Sequence, residues 1–192
     1  MLGETKIQEE YLARSMSYKN LYDPVTGFMR AKNTDGTFKE PFDPDSWGGD
    51  YTEASAWQTL FSVPHDLNGL CQLMGGKEAV LKRLDTIMAN EPVYRVGGYG
   101  REIHEMTEMA VTNVGMCEMN NQPGFSLPYL YAFFGEKEKS RALVEKICKE
   151  QFGSGIDGFP GDEDNGSTAG WYILSCIGKY PVCPGDSTWV EI

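Results

Sequence analysis

Two acidic segments carry the strongest chemical signal in this chain. Asp162-Glu163-Asp164 stands between Pro160-Gly161 and Asn165-Gly166, just ahead of a helical segment. Glu53 stands in Tyr51-Thr52-Glu53-Ala54-Ser55-Ala56-Trp57-Gln58, where a long loop enters another helix. Carboxylates in these two settings suit different halves of one reaction. An acid ahead of a helix lies near the positive end of the macrodipole, which keeps it ionised and suits a general base. An acid beside an indole and apolar neighbours has its pKa raised, as a general acid requires. Each segment also has a purely structural reading: an N-cap with solvated charges for the first, a first-turn Glu complementing the dipole for the second. The acidic run is a poor EF-hand loop, which needs Gly at position six and Glu at twelve. Counted from Asp162, Gly comes at position five and Ile173 stands at twelve.

Other polar clusters are less specific. His104-Glu105 follows Arg101 and precedes Glu108, and the second histidine, His65, lies in Pro64-His65-Asp66. No H-E-x-x-H pairs them, so each reads equally well as a satisfied histidine in a polar pocket. Asn120-Asn121-Gln122-Pro123 lines up amides where a helix breaks; amides bind hydroxyls or hard cations, and they also simply cap and turn. No Ser or Cys has the His/Asp company of a nucleophile, and no glycine loop has phosphate-cradle spacing. Paired carboxylates remain the best lead. Glycosidases place two across a bond, roughly 6.5–9.5 Å apart when a water must fit between them.

The elements that must position these residues are helices. Periodicity predicts helices over 5–22, 53–61, 64–74, 77–89, 104–119, 129–134, 136–151 and 167–177, with a short strand over 188–192. Gly75-Gly76 caps one helix and Gly178 with Pro181 ends another. Between 23 and 50 the chain is dense in Gly, Pro, Asp and Asn, far longer than the usual ~4–6-residue connection, and such a loop is functional or mobile. There is no βαβ alternation and no short repeat, so the expected fold is an antiparallel helical array with its long loops gathered at one end.

Bulk properties exclude several partners. The 192 residues suffice for one domain with a real core, at 41% hydrophobic and 23% charged. Twenty-eight acidic against 17 basic residues give a net charge of -11, which repels nucleic acid and anionic lipid. No apolar run approaches the ~20 residues of a membrane span, and the opening MLGETKIQEEYL lacks a secretory signal pattern, so the chain carries no address and its compartment is left open. The five cysteines are scattered and read as buried free thiols, not as a zinc or disulfide framework. Aromatic residues make up 12%, a share that suits a sugar-stacking cleft as well as a core.

Runs throughout the chain resemble glycoside hydrolase family 92. They include Lys19-Asn20-Leu21-Tyr22-Asp23-Pro24, Gly27-Phe28-Met29-Arg30, Gly49-Asp50-Tyr51-Thr52-Glu53, Ala56-Trp57-Gln58, Val63-Pro64-His65-Asp66, Pro128-Tyr129-Leu130-Tyr131, Asp157-Gly158-Phe159-Pro160-Gly161 and Ala169-Gly170-Trp171-Tyr172, in the family's order. The resemblance implies a calcium-dependent, inverting exo-α-mannosidase acting on mannose-containing glycans. It implies an all-α fold, the later part of an (α/α)6 helical barrel with long functional loops and a short C-terminal strand. Residues 1–192 would form a single partial catalytic domain, lacking the family's N-terminal β-sandwich and early barrel. Glu53 then resembles the general acid, and Asp162 with Asp164 the base. His104 and Glu105 match the dipeptide that contacts the leaving sugar in members cleaving α-1,2 linkages, with Trp57 beside the acid as a further substrate contact. Asn121 and Gln122 fall where calcium ligands are expected.

Two departures matter. Where the family commonly has Gly-Asn-Glu-Pro-Ser-His-His, this chain has Asn120-Asn121-Gln122-Pro123-Gly124-Phe125-Ser126, and Ser55 replaces an Asn beside the acid. Gln122 keeps an oxygen donor and loses a charge, which weakens calcium binding at that position. Two other readings therefore stand beside the first: a non-catalytic carbohydrate-binding helical module, favoured by Gln122, and a hydrolase of phosphate-linked mannosides. The retained Glu53 and the net charge of -11 count against the last. A site lacking its other wall implies poor turnover by the isolated chain, and a partial barrel implies an exposed apolar edge and self-association through it.

Overall fold

The computed structural model describes residues 4–192. Residues 1–3, where the leader reading begins, lie outside them. Among the described residues the order is α1 (Thr5–Ser15), β1 (Tyr22–Asp23), β2 (Phe28–Met29), α2 (Ala56–Thr59), α3 (Leu67–Leu73), α4 (Lys77–Ala89), α5 (His104–Val111), α6 (Leu127–Phe133), α7 (Lys137–Gln151), α8 (Ser167–Ile177), β3 (Lys179–Tyr180) and β4 (Val190–Glu191). The strands form two small antiparallel pairs, β1 with β2 and β3 with β4. The architecture is helical, with short strands at its margins, as expected of part of a helical barrel.

One apolar core joins most of the helices. Leu84 and Ile87 from α4, Met106 and Met109 from α5, Leu127 and Leu130 from α6, Val144 and Ile147 from α7, and Trp171 from α8 belong to a single buried cluster. The three-residue spacing inside each pair puts both side chains on one helix face. Each such burial contributes about 1.5–3 kcal/mol. α6 turns into α7 through Gly135, whose φ of 86° is open to glycine and lets its N–H reach the Ala132 carbonyl. At the α6–α8 contact, the Trp171 indole stacks on Phe152 at 5.7 Å, meets Tyr129 edge-on at 6.0 Å and donates to the Phe125 carbonyl at 2.9 Å.

Three expected helices are shorter than their sequence patterns, for identifiable reasons. The first ends at Ser15 and continues as a 3-10 turn over Met16–Asn20. The helix expected from 53 begins only at Ala56, because Glu53 has φ 49° and Ser55 is the N-cap, receiving the Trp57 N–H and closing a capping box with Gln58. The helix expected to reach 119 stops at Val111, because Asn113 and Gly115 take φ of 55° and 63°. A Cβ on Gly115 would lie 2.2 Å from the Ile87 carbonyl oxygen, so the chain turns sharply there to pack against α4.

The 23–50 loop is ordered by a buried arginine. Arg30 donates to Asp23 at 2.8 Å and to Glu40 at 2.7 Å, and its guanidinium lies 4.4 Å from the Phe42 ring centroid. Two helices keep an apolar face uncovered among the described residues: Ile7, Tyr11 and Leu12 on α1, and Ile173 and Ile177 on α8. None of the described helices is long and apolar enough to cross a membrane.

Candidate active site

Four segments meet at the ends of α2, α5 and α8, and each brings polar side chains for a local reason. The first is the turn before α2. Gln58 is buried and accepts from the Ser55 N–H at 2.9 Å, while its own amide donates to the Met116 carbonyl at 2.8 Å. That pair of bonds fixes the Glu53 turn to the 116–122 segment. The Glu53 N–H donates to the Tyr99 hydroxyl at 2.8 Å, leaving the carboxylate exposed.

The second segment is the first turns of α5. His104 Nδ1 faces Glu108 at 3.2 Å, and its Nε2 lies 3.4 Å from Glu105 and 3.9 Å from Asp162. Partial burial depresses the imidazole pKa, but the hydrogen bond it donates to Glu108 and the charges of Glu105, Glu108 and Asp162 outweigh it, so the net shift is upward.

The third segment, 118–122, holds the residues that face both neighbours. Asn121 donates to Glu53 Oε2 at 3.3 Å, and Gln122 donates to Asp164 Oδ2 at 2.5 Å. Asn120 donates to the Glu105 carbonyl at 3.0 Å and to the Glu108 carboxylate at 3.3 Å. Glu118, wholly buried at φ 54°, has no hydrogen-bonding partner on either oxygen. Burial pushes its carboxyl well above the ordinary range; the nearby Asn121 amide moderates this, and the charges of Glu105 and Glu53 add to it.

The fourth segment is the acidic run. Its middle member does the structural work: Glu163 accepts from the Gly166 N–H at 2.7 Å and from the Ala169 N–H at 3.2 Å, satisfying the start of α8. Asp162 and Asp164 are left exposed beside it. Asp164, Asn165 and Gly166 all lie at positive φ, a sharp turn that brings Asp164 round to Gln122. Gly161 permits the approach, since a Cβ there would fall 2.2 Å from the Asn120 carbonyl oxygen.

The structure thus brings together seven of the eight residues singled out from the sequence: Glu53, His104, Glu105, Asn121, Gln122, Asp162 and Asp164. Trp57 stands apart. Its indole N–H donates to Asp45 at 2.9 Å and its ring meets Phe28 edge-on at 4.9 Å, under Arg83. Glu118 and Tyr99 were not singled out; the signal for Glu118 is an acid inside the apolar run Met116-Cys117-Glu118-Met119, whereas nothing in the sequence marks Tyr99.

Two backbone and polar anomalies converge on this face. Four of the five non-glycine residues at positive φ among the described residues belong to it: Glu53, Glu118, Asp164 and Asn165. Four of the seven buried side-chain polar atoms without a partner are also here: Glu105 Oε2, both oxygens of Glu118, and Asn120 Oδ1. Strain and unsatisfied acceptors at one place mark a functional site more often than a structural one. All four unpartnered atoms on this face are oxygens, the donor a hard cation takes. Among the described residues, however, no three His, Cys, Asp or Glu side chains converge in a metal-binding group. Cavities of about 250 Å³ beneath the 30–51 loop and about 440 Å³ between α7 and α8 lie away from the carboxylate cluster, where Glu53, Asp162 and Asp164 are exposed.

A model of the Glycosyl hydrolase family 92 catalytic domain matches residues 1–191. Among solved structures, a family GH92 alpha-mannosidase from Bacteroides thetaiotaomicron, in complex with mannoimidazole, is 30% identical with a TM-score of 0.84, covering 98% of this chain and 25% of its own. The family GH92 inverting mannosidase from Bacteroides thetaiotaomicron VPI-5482 is 40% identical with a TM-score of 0.80, covering 99% of this chain and 26% of its own. An uncharacterized secreted glycosidase of Arthroderma benhamiae is 23% identical over 210 residues, 97% of this chain and 24% of its length. The chain therefore spans about a quarter of the length of these relatives.

Proposed function

This chain belongs to glycosyl hydrolase family 92, and from that premise we propose that it carries the acid and the base of an inverting exo-α-mannosidase. In this reading Glu53 gives its proton to the glycosidic oxygen as the bond to the leaving sugar breaks. Asp164, with Asp162 beside it, takes a proton from the water that attacks the anomeric carbon from the opposite face. His104 and Glu105 contact the leaving sugar and favour an α-1,2 linkage to the terminal mannose. The observation that carries the proposal is the pair of consecutive amides, Asn121 and Gln122, that hydrogen-bond Glu53 and Asp164 respectively on one open face.

Calcium is part of the same proposal. The donors fit it in kind at Glu105, Glu118 and Asn120, whose buried oxygens lack partners, and these residues would hold it. Gln122 fits it less well, because its amide nitrogen is turned to Asp164. When bound, such an ion supplies a positive charge that engages sugar hydroxyls and offsets the clustered carboxylates. The chain's own residues orient the acid and the base and contact the leaving sugar.

The test is mannose release from α-1,2-mannobiose at high protein concentration, with calcium and with chelator. Glu53→Gln is expected to lower kcat by about 10²–10⁴-fold, the usual worth of a general acid. Turnover unchanged by that substitution would remove Glu53 from the mechanism. Mannobiose binding with no release by either form would favour a carbohydrate-binding module.

A further inference from the structure

We propose that Asn121 and Gln122 form a two-residue strap that positions the proposed acid and base relative to each other, Asn121 holding Glu53 and Gln122 holding Asp164. The inference rests on the reading of those carboxylates as acid and base. Its geometry is direct. Asn121 Nδ2 lies 3.3 Å from Glu53 Oε2, and Gln122 Nε2 lies 2.5 Å from Asp164 Oδ2. Asn121 has extended backbone, φ -147° and ψ 159°, and successive side chains on an extended chain diverge. Adjacent residues can therefore reach carboxylates on opposite sides and keep them apart.

The strap is itself fixed. The Asn121 side-chain oxygen accepts the Gln122 N–H at 2.9 Å, its backbone N–H donates to the Glu118 carbonyl at 3.2 Å, and Pro123 follows. Gly124 packs so closely that a Cβ would fall 2.0 Å from the Cys117 carbonyl oxygen. The two carboxylates, by contrast, hang from exposed loop residues at φ 49° and 53°, with no other side-chain partner on Glu53 or Asp164 among the hydrogen bonds of the described residues. An anchored donor thus meets each exposed acceptor.

The amide is the right chemistry for the second contact. A carboxylate at 122 would repel Asp164 unless a proton or a cation lay between them, whereas an amide donates without neutralising it. The base is thereby oriented by the chain's own amide. Gln122 is accordingly a positioning residue, as is Asn121.

The experiment follows the side-chain amide protons of Asn121 and Gln122 by NMR in the full chain labelled with nitrogen-15. Expected in the wild type are a downfield, slowly exchanging proton on each amide, unchanged by chelator. Asp164→Gly, which tolerates the left-handed backbone, should abolish the Gln122 signature and spare that of Asn121; Glu53→Gly should do the reverse. Asp164→Asn, which leaves a neutral acceptor, should reduce the Gln122 shift by roughly half. A Gln122 amide indifferent to Asp164→Gly, or a signature lost on chelation, overturns the strap. Failure of the acid and base reading is read separately, as turnover unchanged by Glu53→Gln, with the amide signatures intact.

Discussion

The hairpin of α6 and α7, with α8 against it, and the carboxylate face follow opposite rules. In the hairpin, buried polar groups find partners with one exception, the Gln151 side-chain oxygen: the Tyr129 and Ser175 hydroxyls hydrogen-bond at 2.5 Å, Ser140 donates to the Pro128 carbonyl at 2.6 Å, and Trp171 donates to the Phe125 carbonyl. Its one left-handed turn is at a glycine, Gly135. On the carboxylate face, four oxygens are buried without partners and Glu53 and Glu118 occupy the left-handed region, at a cost of roughly 1–2 kcal/mol for each residue. One region is assembled for stability and the other is held against it. That contrast is the free-energy mark of a functional site, where strain is offset by stability elsewhere.

The sharpest way to break the comparison is to cut into each region and watch the sign. Trp171 is 1% exposed and joins Tyr129 and Phe152, so Trp171→Ala should destabilise the chain by about 3–5 kcal/mol in a urea melt. Glu118→Met should act the other way. Replacing an unpartnered buried acid by an apolar side chain of similar length removes a desolvation cost of about 1–3 kcal/mol, so the variant should melt higher in chelator. Added calcium should then raise the melting temperature of the wild type and leave Glu118→Met where it is. Destabilisation by Glu118→Met in chelator would show that the acid has a partner after all.

The same residue sets a pH dependence. Burial above all raises the Glu118 pKa in the folded state, so the native protein binds more protons than the unfolded chain across the raised interval. Its contribution is fully present below the ordinary value of 4.5 and is lost as pH rises towards the folded pKa. The stability gap between Glu118→Met and wild type should therefore widen as pH rises from about 4.5, measured in urea melts with chelator present. A gap that narrows would contradict a buried, unpartnered acid.

Legibility from sequence divides along the same line. Regular elements were readable where a single force decides them: α4 from 77 to 89 has an apolar face and starts after Gly75-Gly76, α8 from 167 to 177 is apolar and stops at Gly178, and the structure agrees with both. The helix expected to run to 119 failed because Asn113 and Gly115 turn to meet the Ile87 backbone, a tertiary contact that periodicity does not encode. At the site, residue types were readable and their division of labour was not. Three acids in a row offered an N-cap and a candidate base without saying which was which; the Gly166 and Ala169 N–H groups assign the cap to Glu163. The long 23–50 loop was legible as irregular, but its order depends on Arg30 reaching both Asp23 and Glu40, pairings that no local pattern announces.

The smallest predicted effect tests whether the carboxylate face acts as one field. His104 faces Glu108, Glu105 and Asp162 at 3.2, 3.4 and 3.9 Å, and these carboxylates outweigh partial burial to raise its pKa above 6.5. The imidazole Hε1 resonance should titrate with a midpoint above 6.5. Glu108→Gln, which removes the hydrogen-bonded partner, should lower the midpoint more than Asp162→Asn, whose carboxylate is the most distant of the three. Because the folded value is raised, the stabilisation is fully present below the unfolded pKa and fades as pH rises through the folded one. With the side chain 55% exposed, solvent screening keeps that stabilisation small, so the NMR midpoint is the measurement to make. A midpoint at or below 6.5 would mean that these carboxylates are screened from one another, and the face would then be a set of independent surface charges.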